Sequence, residues 1–310
     1  SFCSGIYSWR VRRTLSNYAM TAMEQPMEYI QLGNTRARVS RLGFGGAPAG
    51  LTNYLDAYSP VNTEQRNLTI AAIQRAVELG VTFFDTAPAY GQGAGEELYG
   101  EALAGVITPI FLATKASPRT ENVRASLEAS LTRLGREQVD LFQIHGTTYD
   151  NETVDAMLAP GGMLEQMEAL KAEGLTRFIG FTTEDNNPPI YRLMESGRFD
   201  VVQMCYNFAF QHPYDAARPA GSLMEAAAQG LGVITMRALT AGLLQKWVQL
   251  VNPANTFDYS PALLQYVLSN PMVHVALVGM RTPEEVEKNV AIVNDLSGRI
   301  DLIQLNRKFL

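Results

Sequence analysis

Three ionisable side chains recur at the same place in a repeated pattern. Asp85 closes the run VTFFD, Lys115 closes IFLATK and His145 closes VDLFQIH, so consecutive apolar segments end in an acid, a base and an imidazole at intervals of 30 residues. Taken singly, each has an ordinary explanation: Asp85 can cap a turn, Lys115 can be solvated, His145 can be a hydrogen-bonded core imidazole. Together they point to a site, because an apolar strand gains no stability by ending in an ionisable group. Tyr90 follows Asp85 within DTAPAYG. A loop tyrosine is ordinarily half-buried surface, but beside an ammonium its phenol is expected to titrate below its usual value of about 10, which suits a general acid at neutral pH. Asp85 then serves as the counter-charge that holds Lys115 in place and protonated.

The segments that carry these residues belong to a longer series. Eight short β-rich runs lie near 40–46, 81–85, 110–115, 139–145, 178–182, 201–204, 232–236 and 274–279. Stretches with helical spacing separate them, among them Thr63 to Leu79 (Ile70, Ile73, Val77), Asn122 to Leu134 and Pro283 to Ile292. Start and stop signals mark several: Thr63 before Glu64, Gly80 after Leu79, Gly135 after Leu134, Thr282 before Pro283. Apolar strands alternating with helices imply parallel strands covered on both faces. Eight such units over roughly 240 residues predict an α/β fold, a closed (β/α)8 TIM barrel in a single domain spanning 27–310. The alternating segments EYIQLG and RARVSRLG, joined by a turn, predict an N-terminal β-hairpin before the first barrel strand. In such a barrel the site lies at the C-terminal strand ends, where Asp85, Lys115 and His145 stand.

Composition excludes several function classes. The formal net charge of −6 argues against nucleic acid or an anionic membrane surface as the main partner, and no run of about 20 apolar residues could cross a bilayer. Two cysteines, Cys3 and Cys205, make no disulfide framework, and the histidines His145, His212 and His274 show no metal-ligand spacing, so no bound metal is expected. A reducing, cytoplasmic setting follows. Residues 1–26 differ from the rest: they carry Arg10, Arg12 and Arg13 with no acid before Glu24. They read as an N-terminal extension, a disordered tail or upstream read-through, or alternatively an organelle transit peptide. Nothing in the sequence sets an oligomeric state.

FFDTAPAYG, FLATK and LFQIHG, in that order and spacing, resemble the Asp, Tyr, Lys and His tetrad motifs of the aldo-keto reductase superfamily. The likeness continues through IGFTTED, VVQMCYN and VALVGMRTPEEVEKN, from Met27 to about Ile292. It implies the same (β/α)8 fold and hydride transfer from the nicotinamide of NADP(H), lying across the barrel mouth, to a small-molecule carbonyl. Tyr90 then protonates the carbonyl oxygen and His145 orients it.

The resemblance also implies cofactor contacts. Thr182 and Thr183 stand where the family usually has Ser-Asn holding the carboxamide, and Thr183 lacks an amide's paired donor and acceptor. Gln203 completes that contact, and Met236 replaces an aromatic that stacks on the nicotinamide. Arg237 and Leu239 fall beside the pyrophosphate. In the loop that begins at Gly279, Thr282 and Pro283 open a helix whose free N–H groups suit a phosphate, and Arg281 beside them suits the 2′-phosphate of NADPH. Glu285 stands where related reductases often have glutamine, and Asn289 matches an adenine contact.

Two rival functions fit parts of the pattern. A Schiff-base aldolase would use Lys115 as nucleophile, but needs neither the Tyr90 nor the Arg281 loop. A non-catalytic NADP(H)-binding regulatory subunit, similar to potassium-channel β subunits, would not need the intact tetrad. Substrate choice falls to the loops 46–62, 207–219 and 246–260, where Tyr54, Tyr58, Phe208, Phe210 and Tyr214 could wall an apolar pocket. Little chain follows the last helical stretch, so the pocket is expected to be open.

Overall fold

The structure is a computed structural model and describes residues 26–54, 56–210, 221–302 and 304. The apolar runs extend as strands because β-branched and aromatic side chains pack well on a pleated surface. An antiparallel hairpin, β1 (Tyr29–Gln31) and β2 (Arg38–Ser40), comes first. Then follow β3 (Leu42–Gly45), β4 (Phe83–Asp85), β5 (Phe111–Ala116), β6 (Val139–Ile144), β7 (Thr176–Thr183), β8 (Val201–Cys205), β9 (Gly232–Met236) and β10 (Val275–Val278). These eight pair in parallel in chain order, and β10 closes on β3. The expected (β/α)8 barrel with its leading hairpin is the observed fold.

Strand alternation sorts the side chains into two cores. Phe83, Phe111, Ala113, Leu141, Val201, Ile234, Val275 and Leu277 fill the barrel interior, with Phe83 and Phe111 stacked at 5.0 Å. Their neighbours Phe84, Leu112, Phe142, Val202 and Val233 face outward into the larger core beneath the helices. The same period, continued one step toward the C-terminal ends, turns Asp85, Lys115, Gln143, His145 and Gln203 toward the barrel mouth. Register aligns these ends, pairing Lys115 with Gln143 and Thr182 with Gln203.

The helices follow their sequence signals closely. Helix Thr63–Glu78 begins one residue earlier than Thr63 suggested, because the Asn62 side chain accepts from the Gln65 N–H. Gly135 ends helix Val123–Leu134 in a left-handed conformation, φ 62°, as a C-terminal glycine does. Helix Pro283–Asn294 is capped by Thr282, whose hydroxyl accepts from Glu285 N–H at 3.3 Å. Apart from Pro26, the segment read as an N-terminal extension lies outside the described residues, as do Cys3 and Tyr214.

The hairpin plugs the barrel floor. Leu32, Ala37 and Val39 join the interior core, and Leu32 is fully buried against Gly232. Arg41 fastens this end: its guanidinium donates to Glu28 and to the carbonyls of Leu268 and Val273, while Arg299 holds the same Glu28. Leu32→Ala should therefore leave a cavity in the floor and cost about 2–5 kcal/mol of unfolding free energy. Urea denaturation measures this, and a loss below about 1 kcal/mol would show that the floor closes without the plug.

Candidate active site

The polar layer at the barrel mouth is organised by one buried ion pair. Lys115 and Asp85 are 0% and 2% exposed, and Lys115 Nζ donates to Asp85 Oδ1 and Oδ2 at 2.7 and 2.6 Å and to the Thr86 carbonyl at 2.9 Å. Burial pulls the lysine pKa down, but Asp85 and then Tyr90 more than restore it, so the ammonium is held above its ordinary value. Burial raises the Asp85 pKa, Lys115 pulls it partway back down, and losing either partner would strand a charge away from water.

Tyr90 stands in the loop after β4 with its hydroxyl 3.4 Å from Lys115 Nζ, and the same ammonium lies 5.1 Å from the ring centroid. His145 meets the tyrosine ring edge-on at 5.5 Å. The nearby Lys115 ammonium by itself would lower the phenol pKa, as expected from the motif. Instead burial raises it by more than the ammonium lowers it, so the net direction is upward. His145 is shifted the opposite way, since burial and then the Lys115 charge depress it to about 3. Its imidazole is neutral at physiological pH.

These residues open on a cavity of about 360 Å³. Asp85, Tyr90, His145, Thr182, Gln203, Met236, Arg237, Leu239 and Gly279 all line it. Thr182 donates to the Gly146 carbonyl at 2.6 Å. Thr183, next along the strand, turns the other way: its hydroxyl accepts from Asp185 N–H at 2.9 Å and does not reach the cavity wall. The geometry thus gives no support to its sequence-based role at the carboxamide. Gln203 Nε2 lies 3.9 Å from the Met236 sulfur, and the same amide helps lower the Asp85 pKa. Arg237 pairs with Glu184 at 2.6 Å. Arg237, Thr240, Ala241 and Gly242 all adopt positive φ, from 50° to 72°, and in the first turn of helix Leu243–Val251 the Leu244 N–H donates to the Thr240 hydroxyl at 3.2 Å.

Arg281, Thr282, Glu285 and Asn289 form a second group beyond β10, outside that cavity wall. The Arg281 guanidinium pairs with Asp56 at 2.6 Å and lies over the Tyr58 ring, 4.6 Å from its centroid. Glu285 accepts from the Arg281 backbone N–H at 2.6 Å, and Asn289 donates to the Glu285 carbonyl while its own Oδ1 is buried without a partner. Among the described residues no group of three His, Cys, Asp or Glu could hold a metal ion.

Of the loop aromatics, Tyr54 lines the cavity, whereas Phe208 and Phe210 do not. Tyr58 is buried as a strut, its hydroxyl donating to the Ala49 carbonyl. Sequence reasoning missed Gln143, Glu184, Gln245 and Asp56. Gln143 was findable, since it lies two residues before His145 on the same strand face. Asp56 sits in an irregular loop and gives no such signal.

A model of the aldo/keto reductase family matches residues 41–298. The chain is 29% identical over 304 residues to the L-galactose dehydrogenase of Arabidopsis thaliana, covering 87% of this chain and 89% of that one. It is 27% identical over 266 residues to a methylglyoxal reductase of Escherichia coli, covering 81% and 88%. Among solved structures it is similar to an aldo/keto reductase from Klebsiella pneumoniae in complex with NADP and acetate, with a TM-score of 0.67, 25% identity and coverage of 91% and 95%. The family model takes in every barrel strand from β3 to β10 and all four residues of the Asp85, Tyr90, Lys115 and His145 cluster, and on that match the chain belongs to the aldo/keto reductase family.

Proposed function

We propose that the protein reduces a small aldehyde or ketone to the alcohol with NADPH, Tyr90 delivering the proton. One observation carries this reading: the Tyr90 hydroxyl is 3.4 Å from an ammonium already anchored by Asp85, on the wall of a cavity shared with a neutral imidazole. Family membership and the NADP complex of the Klebsiella relative support it.

The residues present fit a dinucleotide. The buried Oε1 of Gln245 and Oδ1 of Asn289 have no partner; such orphaned polar atoms are unfavourable unless a ligand completes them. Thr182 and Gln203 would hold the carboxamide. The stretch 237–242, bent by positive φ at Arg237, Thr240, Ala241 and Gly242, lines the cavity where the pyrophosphate would lie and brings the Arg237 guanidinium to it. Arg281 and Asn289 would hold the phosphorylated adenosine end. When bound, NADPH supplies the hydride.

The protein's own groups manage the proton. Burial keeps Tyr90 protonated at rest, so the acid is loaded, and Lys115 offsets the phenolate charge that appears as the proton leaves. The neutral His145 ring can donate a hydrogen bond to the carbonyl oxygen without adding a charge. This ion pair also argues against the aldolase: an ammonium held above its ordinary pKa has no lone pair to attack a carbonyl. The names of the relatives, an L-galactose dehydrogenase and a methylglyoxal reductase, point to a small polar substrate.

Tyr90→Phe should lower kcat for methylglyoxal by about 100-fold or more while leaving the NADPH Kd, read by fluorescence quenching, unchanged. Near-normal turnover would sink the assignment. Lys115→Met should likewise depress rate far more than cofactor affinity. Because the folded His145 takes no proton until about pH 3 whereas an unfolded histidine does so near 6.5, stability should fall as pH drops through that window. Melting temperatures at pH 7.5 and 5 test this, and His145→Gln should flatten the difference. Arg281→Ala should weaken NADPH about 10-fold and spare NADH; equal losses for both would show that Arg281 does not read the 2′-phosphate.

A further inference from the structure

Gln143 is wholly buried on β6, in register with Lys115 on β5. Its Nε2 makes two hydrogen bonds, to Asp85 Oδ1 at 3.3 Å and to Gln203 Oε1 at 3.1 Å. Its own Oε1 is buried with no hydrogen-bond partner. A position that only needed filling would be more stable with an apolar side chain of the same size, since an orphaned buried carbonyl forfeits its hydration for nothing. The layer beneath shows that apolar residues suit this interior, with Leu141 in the same strand face. What the amide nitrogen does must therefore account for the residue.

The orientation of that amide follows from its neighbours. A carboxylate only accepts hydrogen bonds, so the nitrogen of Gln143 must face Asp85. The second N–H then engages the Gln203 oxygen. With its oxygen held by Gln143, Gln203 is oriented with its nitrogen turned to the other side, where the Met236 sulfur lies at 3.9 Å and the Asp85 carboxylate also feels it. We infer that Gln143 is a positioning residue which fixes the carboxylate that pairs with Lys115 and sets Gln203 to present a donor, rather than an acceptor, to the cavity. The ligand group met by Gln203 is then an acceptor, such as the oxygen of a carboxamide. This inference rests on the reading of Tyr90, Lys115, Asp85 and Gln203 proposed above.

The test is Gln143→Met, which keeps the length of the side chain and removes both donors. Thermal melts, NADPH titration by fluorescence and methylglyoxal turnover are compared with wild type. Melting temperature should stay level or rise, because the orphaned carbonyl is gone. kcat should fall about tenfold with the substrate KM little changed, and NADPH should bind several-fold more weakly. The acid limb of the kcat profile should move to higher pH, since Asp85 loses a hydrogen bond that favours its charged form. Gln143→Leu should reproduce this pattern with a different shape. A lowered melting temperature with no cooperative folded state in either variant would mark a packing role and overturn the inference, as would wild-type kcat with an unmoved pH profile. Tyr90→Phe is measured alongside. If it is inactive while Gln143→Met behaves as wild type, only the role of Gln143 falls; if it too stays active, the catalytic reading falls and takes this inference with it.

Discussion

A lysine whose head group is removed from water needs a carboxylate beside it, and the fold around the barrel mouth is shaped by meeting that need for Lys115. Asp85 answers from the adjoining strand, at 2.6 Å. The pair is possible because parallel register sets Asp85 opposite Ala113, and Lys115, two residues further along β5, shares the inward face of Ala113. Below it, phenylalanine, leucine and valine fill the interior and exclude water. Above it lie Tyr90 and His145. The low-polarity floor makes the ammonium's influence on them larger than it would be in water. The same floor raises Tyr90 and lowers His145 through burial, so one environment sets an acid to hold its proton and an imidazole to stay neutral.

The two ends of the barrel divide stability from chemistry. At the bottom, charged groups serve only to tie segments together: Arg41 reaches Glu28 and two carbonyls, and Arg299 reaches the same Glu28 from the far end of the chain. Most polar atoms named there find a partner, the Arg41 Nε excepted. At the top, several polar atoms do not: Gln143 Oε1, Thr86 Oγ1 and Gln245 Oε1 are buried without one. The buried ion pair, these three unpartnered atoms and the left-handed residues Arg237, Thr240 and Ala241 gather at this end. That concentration is what a site costs a fold, and it marks the mouth independently of any motif.

Much of this was legible in the sequence because it rests on local periodicity. The eight apolar runs and the helical spacing between them mark the barrel's elements, and the 30-residue recurrence of Asp85, Lys115 and His145 is the βα repeat itself. What escaped was decided by non-local packing. Nothing local tells that Thr183 turns away to hold Asp185, that Tyr58 braces Ala49 and Arg281 instead of walling a pocket, or that Asn62 rather than Thr63 accepts the first helical N–H. The sign of the Tyr90 shift was missed for the same reason. Counting charges in the motif gives the pull of Lys115, but the desolvation that outweighs it depends on the whole barrel mouth.

Cofactor discrimination at the second cluster is likewise a balance that a motif does not display. Arg281 is preorganised, its guanidinium lying over Tyr58 and held by Asp56. A 2′-phosphate would have to exchange that carboxylate for itself, so its net gain is the difference between two charge-assisted contacts and not the whole of one. Asp56 is 64% exposed and its pairing is therefore screened and weak. A phosphate brings close to two negative charges against one. The exchange favours the phosphate, but by less than an unpaired arginine would allow. Glu285, bonded to the Arg281 backbone N–H, keeps a further negative charge at this helix start. Two carboxylates thus temper the single guanidinium, and the preference for NADPH proposed here is a moderated one, set by the acids around Arg281 as much as by Arg281 itself.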